Sequence, residues 1–218
     1  PKTYRYFDLL SWGMIDNPTL LSTTGYFKPG GSANGIETQY DFGNKLYVGT
    51  EKTRTMTSDE WGYLLPKTTA TVTNRIWVSG STRIPKWSQC YIDENGNGTR
   101  NPGEQRGYII FPDEMTLDKA KEVFTSSNPT FGTGAHMTKN ATTYDKIKNS
   151  GVVFIPLSAY RPAGSKTISQ WGNHGNYFTS SYKGTGIIHV RLVQGTYVNP
   201  DPSAPGQGCM SRLVQNIN

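Results

Sequence analysis

A chain of 218 residues, 34% hydrophobic and 12% aromatic with 24 Gly and 13 Pro, is long enough to bury a core without cross-links and reads as one loop-rich, β-leaning domain. Its net charge of +6 comes from Lys and Arg residues scattered along the chain and not gathered in a stripe or basic helix. With no nucleic-acid motif beside them, a nucleic-acid partner is not expected. Cys90 and Cys209 leave room for a single disulfide and no zinc cluster, and no apolar run approaches the ~20 residues of a membrane-spanning helix.

The opening at Pro1 instead of Met, without a signal peptide, suggests a processed or trimmed chain. The first stretch, YRYFDLLSWG, is aromatic and partly alternating, as a strand or buried turn is. From Met14 to Lys52 the pattern weakens, with turn signals in GYFKPGGSANG and DFGN. It reads as ordered loop anchored by Tyr26, Phe27, Tyr40, Phe42 and Tyr47. The first helix begins at TSDEWGYLL: Thr57 can cap the free amides while Glu60 reaches back, a capping box, and Pro66 stops the run. A second helix is expected over TLDKAKEVF, with Leu117, Ala120, Val123 and Phe124 at helical spacing, and a third over TTYDKIKNSG, ended by Gly151. Strands are expected at RIWVSG, SQCYI, GYIIFP, GVVFIPLSAY, GNYFTSSY, GIIHVRLV and CMSRLVQ. Helices in the first two thirds and strands in the last third make an α+β arrangement, not alternating βαβ units.

The stretch DENGNGTRNPGE places Asp93, Asn95, Asn97, Thr99, Asn101 and Glu104 at positions 1, 3, 5, 7, 9 and 12 of a calcium-loop template, with Gly98 at position 6. A hard cation wants six or seven oxygens, so alternate side chains turned inward, a Thr99 carbonyl and a bidentate Glu104 fit that chemistry. The flanks read as strands and Pro102 lies inside the loop, so the expectation is a hairpin tip clamped by structural calcium, not a helix-borne switch. The plain alternative is a polar turn rich in Asn and Gly.

For catalysis the chain offers little. His136, His174 and His189 have no carboxylate or nucleophile at a recognisable spacing, and hydrolase, metalloprotease, phosphate-loop and dinucleotide motifs are missing. The paired acids Asp59/Glu60 and Asp113/Glu114 sit at helix starts, and the hydroxyls of TSSY read as structural. No enzyme is expected. The last third instead alternates buried-looking strands with aromatic and basic loops. Its recognition candidates are Tyr160, Arg161, Gln170, Trp171, His174, Tyr182, Lys183, His189 and Arg191, read as exposed on a rigid scaffold. The alternative for Trp171 and Tyr177 is that they fill the core.

Several segments, in order, resemble the Fibrobacter succinogenes major paralogous (FISUMP) domain. FDLLSWG resembles its Asp-Leu-Phe-Gly-Trp-Gly opening, RTMTSDEWGYLL its Arg-Thr-Leu-Thr helix start, and GYIIFPDEM its Leu-Leu-Pro-Asp strand end. VVFIPLSAYR, GNYFTSSY and SRLVQ are similar to its Phe-Leu-Pro-Ala-Ala-Gly-Tyr-Arg, Tyr-Trp-Ser-Ser and C-terminal motifs, so the resemblance runs from Phe7 to Gln215. Departures are Phe178 and Thr179 for Trp-Ser, and Ser158 and Ala159 for Ala-Gly.

The resemblance implies a C-type-lectin-like fold, shared with formylglycine-generating enzymes and with variable proteins of diversity-generating retroelements. It also implies an exported bacterial surface protein, often a lipoprotein of the outer membrane. Ligand-contacting positions of the retroelement relatives correspond here to the stretch from Tyr160 to Arg191. The calcium loop looks like an insertion before GYIIFP. A Glu-Pro-Asn sugar motif and the paired catalytic cysteines of formylglycine-generating enzymes have no counterpart. The implied function is a non-enzymatic, adhesin-like recognition domain for an extracellular protein or glycan. Its membrane contact would be limited to an N-terminal lipid anchor. A structural or assembly subunit of a surface appendage is the alternative.

Overall fold

The computed structural model of the protein describes residues 10–11, 41, 43, 47–48, 50–66, 75–132, 140–165, 167–183, 186–193, 196–203 and 207–215. In chain order, the elements begin with β1 (Leu10–Ser11), β2 (Tyr47–Val48), β3 (Glu51–Thr55) and α1 (Ser58–Leu64). The middle holds β4 (Ile76–Ser79), β5 (Thr82–Pro85), β6 (Trp87–Ile92), β7 (Arg106–Ile110), α2 (Leu117–Glu122), β8 (Ala141–Thr142), α3 (Tyr144–Ser150) and β9 (Val153–Pro156). The last part holds β10 (His174–Lys183), β11 (Gly186–Val193), β12 (Thr196–Ser203), β13 (Gly208–Cys209) and β14 (Leu213–Gln215). The result is a mixed α+β fold of small sheets and few helices.

The helices form where local chemistry places them. Thr57 Oγ1 accepts from the Glu60 amide at 3.0 Å and Glu60 Oε2 accepts from the Thr57 amide at 2.8 Å, completing the capping box. Thr116 and Thr143 cap α2 and α3 in the same way, and Gly151 closes α3 at φ 74, a left-handed value glycine adopts at no steric cost. Most of the expected loop from Met14 to Lys52 and most of the aromatic opening lie outside the described residues, but Tyr47–Val48 within it form β2, paired with β3. Lys52, expected to end that loop, instead belongs to β3. Strands also do not gather in the last third: a four-stranded sheet, order β8-β6-β7-β9, fills the middle of the chain.

That sheet is buried on both faces, which is why its strands read as near-continuous apolar runs. Trp87, Tyr108, Ile110 and Ile155 face one cluster, with Trp61 of α1 and Tyr177, Val190 and Leu192 of β10 and β11. Cys90, Ile109 and Phe111 face a second cluster, with Ala120, Val123 and Phe124 from α2 and Ile147 from α3 packed against it. The layers are therefore α2 and α3, then the four-stranded sheet, then α1 with the sheet β10-β11-β12. Gln89 Nε2 and the Tyr108 hydroxyl both donate to the Val193 carbonyl, at 3.2 and 2.9 Å, tying the end of β11 to the middle sheet. Cys90 and Cys209 are buried free thiols, and burial pushes both thiol pKa values up.

Candidate functional site

The segment between Arg161 and β10 ends in a tight turn that holds two left-handed residues. Gln170 stands at φ 60 and Gly172 at φ 69. The Gln170 carbonyl accepts from the amides of Asn173 (3.0 Å) and His174 (3.1 Å), which turns the chain into β10. At the crest, Trp171 is 60% exposed and Ile168 is 49% exposed. A left-handed non-glycine residue costs about 1–3 kcal/mol, and an indole held in water forgoes its burial. Both costs fall on one turn.

Beside the turn, Tyr160 lies stacked on His174, ring centroids 6.0 Å apart and planes 21° apart. Tyr160 is held by paired amide–carbonyl bonds with Ser169, 3.2 and 2.8 Å. His174 and Asn176 point to one face of β10, and the register sets Arg191 of β11 opposite Asn176 and diagonal to His174. Arg191 is exposed. His174 and Asn176 are buried, and His174 Nδ1 and Asn176 Oδ1 have no hydrogen-bond partner. Burial, and then the charge of Arg191, hold the His174 imidazole below its ordinary pKa. Arg106 reaches in from β7, its guanidinium donating to Asn173 Oδ1 at 2.8 Å.

Of the sequence candidates, Gln170, Trp171 and Arg191 are exposed and Tyr160 is half-buried around this turn. Three expectations of exposure are corrected. Arg161 is buried, its backbone bridged to Gly208 and its guanidinium donating to the Ser165 carbonyl; His174 is buried under the stacked Tyr160 ring; and His189 is buried in the central strand of its sheet opposite Phe178. Tyr182 and Lys183 belong to β10 by backbone pairing, but their side chains lie outside the described residues. Tyr177 is core whereas Trp171 is not. The TSSY hydroxyls hold a bulge: Thr179 Oγ1 donates to the Ile188 carbonyl, and Ser181 Oγ accepts from the Ser58 amide at 2.9 Å.

Sequence reading missed Arg106 and Asn176, which only the fold brings here, and it also missed a charge pattern that was legible. Residues 1–145 carry fifteen bases and fifteen acids. Residues 146–218 carry seven bases (Lys146, Lys148, Arg161, Lys166, Lys183, Arg191 and Arg212) against one acid, Asp201. The bases are scattered, but the acids are not, so the whole net charge of +6 belongs to the last third. Among the described residues, the ion pairs are Arg54–Glu60, Arg75–Asp113, Lys119–Glu122 and Lys121–Asp118. Arg106 and Arg191 belong to none of them.

The calcium-template loop joins β6 to its antiparallel partner β7, a hairpin as its strand-like flanks implied. Asp93 Oδ1 and Oδ2 accept from the amides of Asn97 (3.2 Å) and Gly98 (2.8 Å). Glu104 accepts from the Asn101 amide (2.6 Å) and side chain (3.0 Å), Asn97 Oδ1 from the Thr99 amide, and the Thr99 carbonyl from the Asn101 side chain. Asn95 is exposed. Asp93 and Glu104 are both buried, and both lie near enough to the Tyr91 hydroxyl to raise its pKa, after burial itself. The loop thus holds two buried carboxylates, both of which accept hydrogen bonds from loop amides. A separate groove of about 460 Å³ between α2 and α3 is lined by Met115, Lys119, Glu122, Val123, Asp145 and Lys146 and includes none of these candidates.

Compared with protein-family models, curated proteins and solved structures, the chain matches none.

Proposed function

We propose that this chain is an exported, cell-surface recognition domain of the FISUMP type, with a C-type-lectin-like fold and no enzymatic activity. It binds an extracellular protein or glycan through the turn 170–173 and the adjoining ends of β10 and β11. The observation that carries this reading is Trp171, held 60% exposed on a turn whose preceding residue is left-handed. An exposed indole on a turn with a left-handed non-glycine residue offers a rigid aromatic face to a ligand. The resemblance gains support at Ala159, where the similar family has glycine: Ala159 stands at φ 151, a backbone value that favours glycine. The membrane is met only through an N-terminal lipid anchor, and nucleic acid is not a ligand. Calcium, held by Asp93 and Glu104 with the carbonyl and amide oxygens between them, clamps the β6–β7 hairpin as a structural ion.

The test is binding of wild type and a Trp171→Ala/Gln170→Gly double variant to an array of extracellular proteins and glycans. Ligands should be lost in the variant while its melting temperature holds. Ligands indifferent to the change would sink the site assignment.

The alternative, an appendage subunit joined by strand addition, needs an open sheet edge, and β12 is an edge strand of its sheet. Pro200 and Pro202 alternate in β12, opposite Val190 and Ile188. Prolines two apart present the same side of a strand, so with the inner ladder to β11 kept, the outer edge lacks donors at both positions. That edge is poorly suited to accept a partner strand, which favours recognition.

A further inference from the structure

The charge and chemistry around Trp171 narrow the ligand. We propose, resting on the recognition reading above, that the turn 170–173 binds an acidic saccharide. One sugar ring lies on the Trp171 indole, and its carboxylate or sulfate is held by Arg191 and Arg106.

Four observations carry this. First, the last third holds seven bases against one acid, whereas the rest of the chain is balanced. Lys146 and Lys148 lie on α3, across the four-stranded sheet, so the positive charge at the turn itself rests on Arg191 and Arg106, which attract an anion. Second, Arg191 and Arg106 stand on either side of the His174–Asn173 corner: Arg191 is diagonal to His174 across the sheet, and Arg106 bonds Asn173. Neither guanidinium is neutralised by a carboxylate among the described residues. A guanidinium is a planar fork that matches a carboxylate or sulfate.

Third, the apolar surface here suits a single ring. The other exposed large hydrophobics of the described residues, Tyr63, Val78, Tyr144 and Val153, lie on other elements, so the turn offers only Trp171 and Ile168. A protein partner needs roughly 800 Å² per side with several buried anchors, and single-stranded nucleic acid needs successive aromatic platforms. One indole ringed by polar groups fits neither. Fourth, the same corner presents the exposed side-chain amides of Gln170 and Asn173, which donate and accept. Sugar hydroxyls both donate and accept, and so can satisfy such a mixed set.

The experiment is titration calorimetry of the full chain with tetragalacturonic acid, its methyl ester, a chondroitin sulfate tetrasaccharide, octaglutamate and an oligothymidylate. Trp171→Ala, Arg191→Gln and Arg106→Gln are compared with Lys119→Gln, which lies on α2 away from the turn. Each variant is first shown to melt as wild type does. The expected result is binding of an acidic saccharide, with the tighter of the two naming carboxylate or sulfate as the anion. Each of the three site variants should weaken it at least tenfold, about 1.4 kcal/mol. Lys119→Gln should leave it unchanged, and the methyl ester should lose it.

Equal binding of ester and acid would overturn the proposal, as would octaglutamate or oligothymidylate binding as tightly with no dependence on Trp171. If no acidic saccharide binds, yet an array ligand depends on Trp171, the saccharide class is wrong and the recognition reading stands. If nothing depends on Trp171, both fall.

Discussion

The ring of Tyr160 stacks on the imidazole of His174, at 6.0 Å between centroids, and so helps keep a titratable group out of water at the edge of the exposed turn 170–173. Because burial and then Arg191 lower its pKa, His174 is neutral near pH 7 and resists protonation in the folded state. The unfolded chain, with an ordinary imidazole near 6.5, binds a proton first. The contribution of this group to stability is therefore complete above pH 6.5. It is lost as pH falls from there toward the lower folded value. Urea denaturation should show a declining midpoint over that window, and His174→Gln should flatten the decline. By NMR, Arg191→Gln should move the His174 titration upward. A native His174 titrating at or above 6.5 would contradict the burial argument.

Glu60 serves two partners at once. It accepts from the Thr57 amide as the far half of the capping box and grips Arg54 through both oxygens, at 2.8 and 2.5 Å. The Arg54 guanidinium is the main cause holding its carboxyl below the ordinary value. Glu60→Ala should cost about 1–2 kcal/mol, the scale of a lost helix cap. Glu60→Gln, which keeps an acceptor for the amide, should cost less. Because the carboxyl pKa is depressed, the charged contribution stands above the unfolded value and is lost as pH falls through the folded one. The difference between wild type and Glu60→Gln should therefore close in acid. Equal stabilities of wild type and Glu60→Gln at neutral pH would show that the ion pair adds nothing to the cap.

Gly107 admits no side chain. A Cβ there would strike the Phe154 ring and come within 2.5 Å of the Ile155 carbonyl. Those atoms belong to β9, paired with β7 through Gly107 and Pro156, so relief requires opening the ladder. Gly107→Ala should destabilise by about 3 kcal/mol, the upper range of overpacking. By contrast Gly62→Ala on α1, where a Cβ meets nothing within 4 Å, should stabilise by about 0.5–1 kcal/mol. Comparable denaturation midpoints for the two would refute the close approach of the strands.

The β6–β7 hairpin offers a metal test. If calcium clamps it, binding stabilises the folded state by RT ln(1 + [L]/Kd), about 2.7 kcal/mol at a hundredfold excess over Kd. For a domain of this size that raises the melting temperature by roughly 5–10 °C. The rise should vanish in Asp93→Asn and shrink in Glu104→Gln. An identical melting temperature in chelator and in millimolar calcium removes the clamp. The loop then stands on its own bonds, with Asp93 accepting the amides of Asn97 and Gly98.

Local chemistry was legible in the sequence by itself. The three helix starts follow from Thr57, Thr116 and Thr143, each of which satisfies amides within three residues of itself, and Gly151 ends α3 by its own φ. The hairpin setting of the calcium-template loop was also legible, because SQCYI and GYIIFP alternate or run apolar as strands do. Even the charge of the last third could be read without coordinates, since it lies in missing acids.

Exposure in that last third was not legible, because it depends on which distant segment covers a side chain. Tyr160 stacks on His174, the Arg161 backbone bridges Gly208 while its side chain lies buried, and Trp171 stands 60% exposed. Arg106 and Asn173, 67 residues apart, meet at 2.8 Å only because β7 carries Arg106 toward the turn that opens β10. Sequence periodicity sees neighbours three, four or two residues away. The corner around Trp171 is made of contacts far longer than that, and only the packing of the two sheets assembles it.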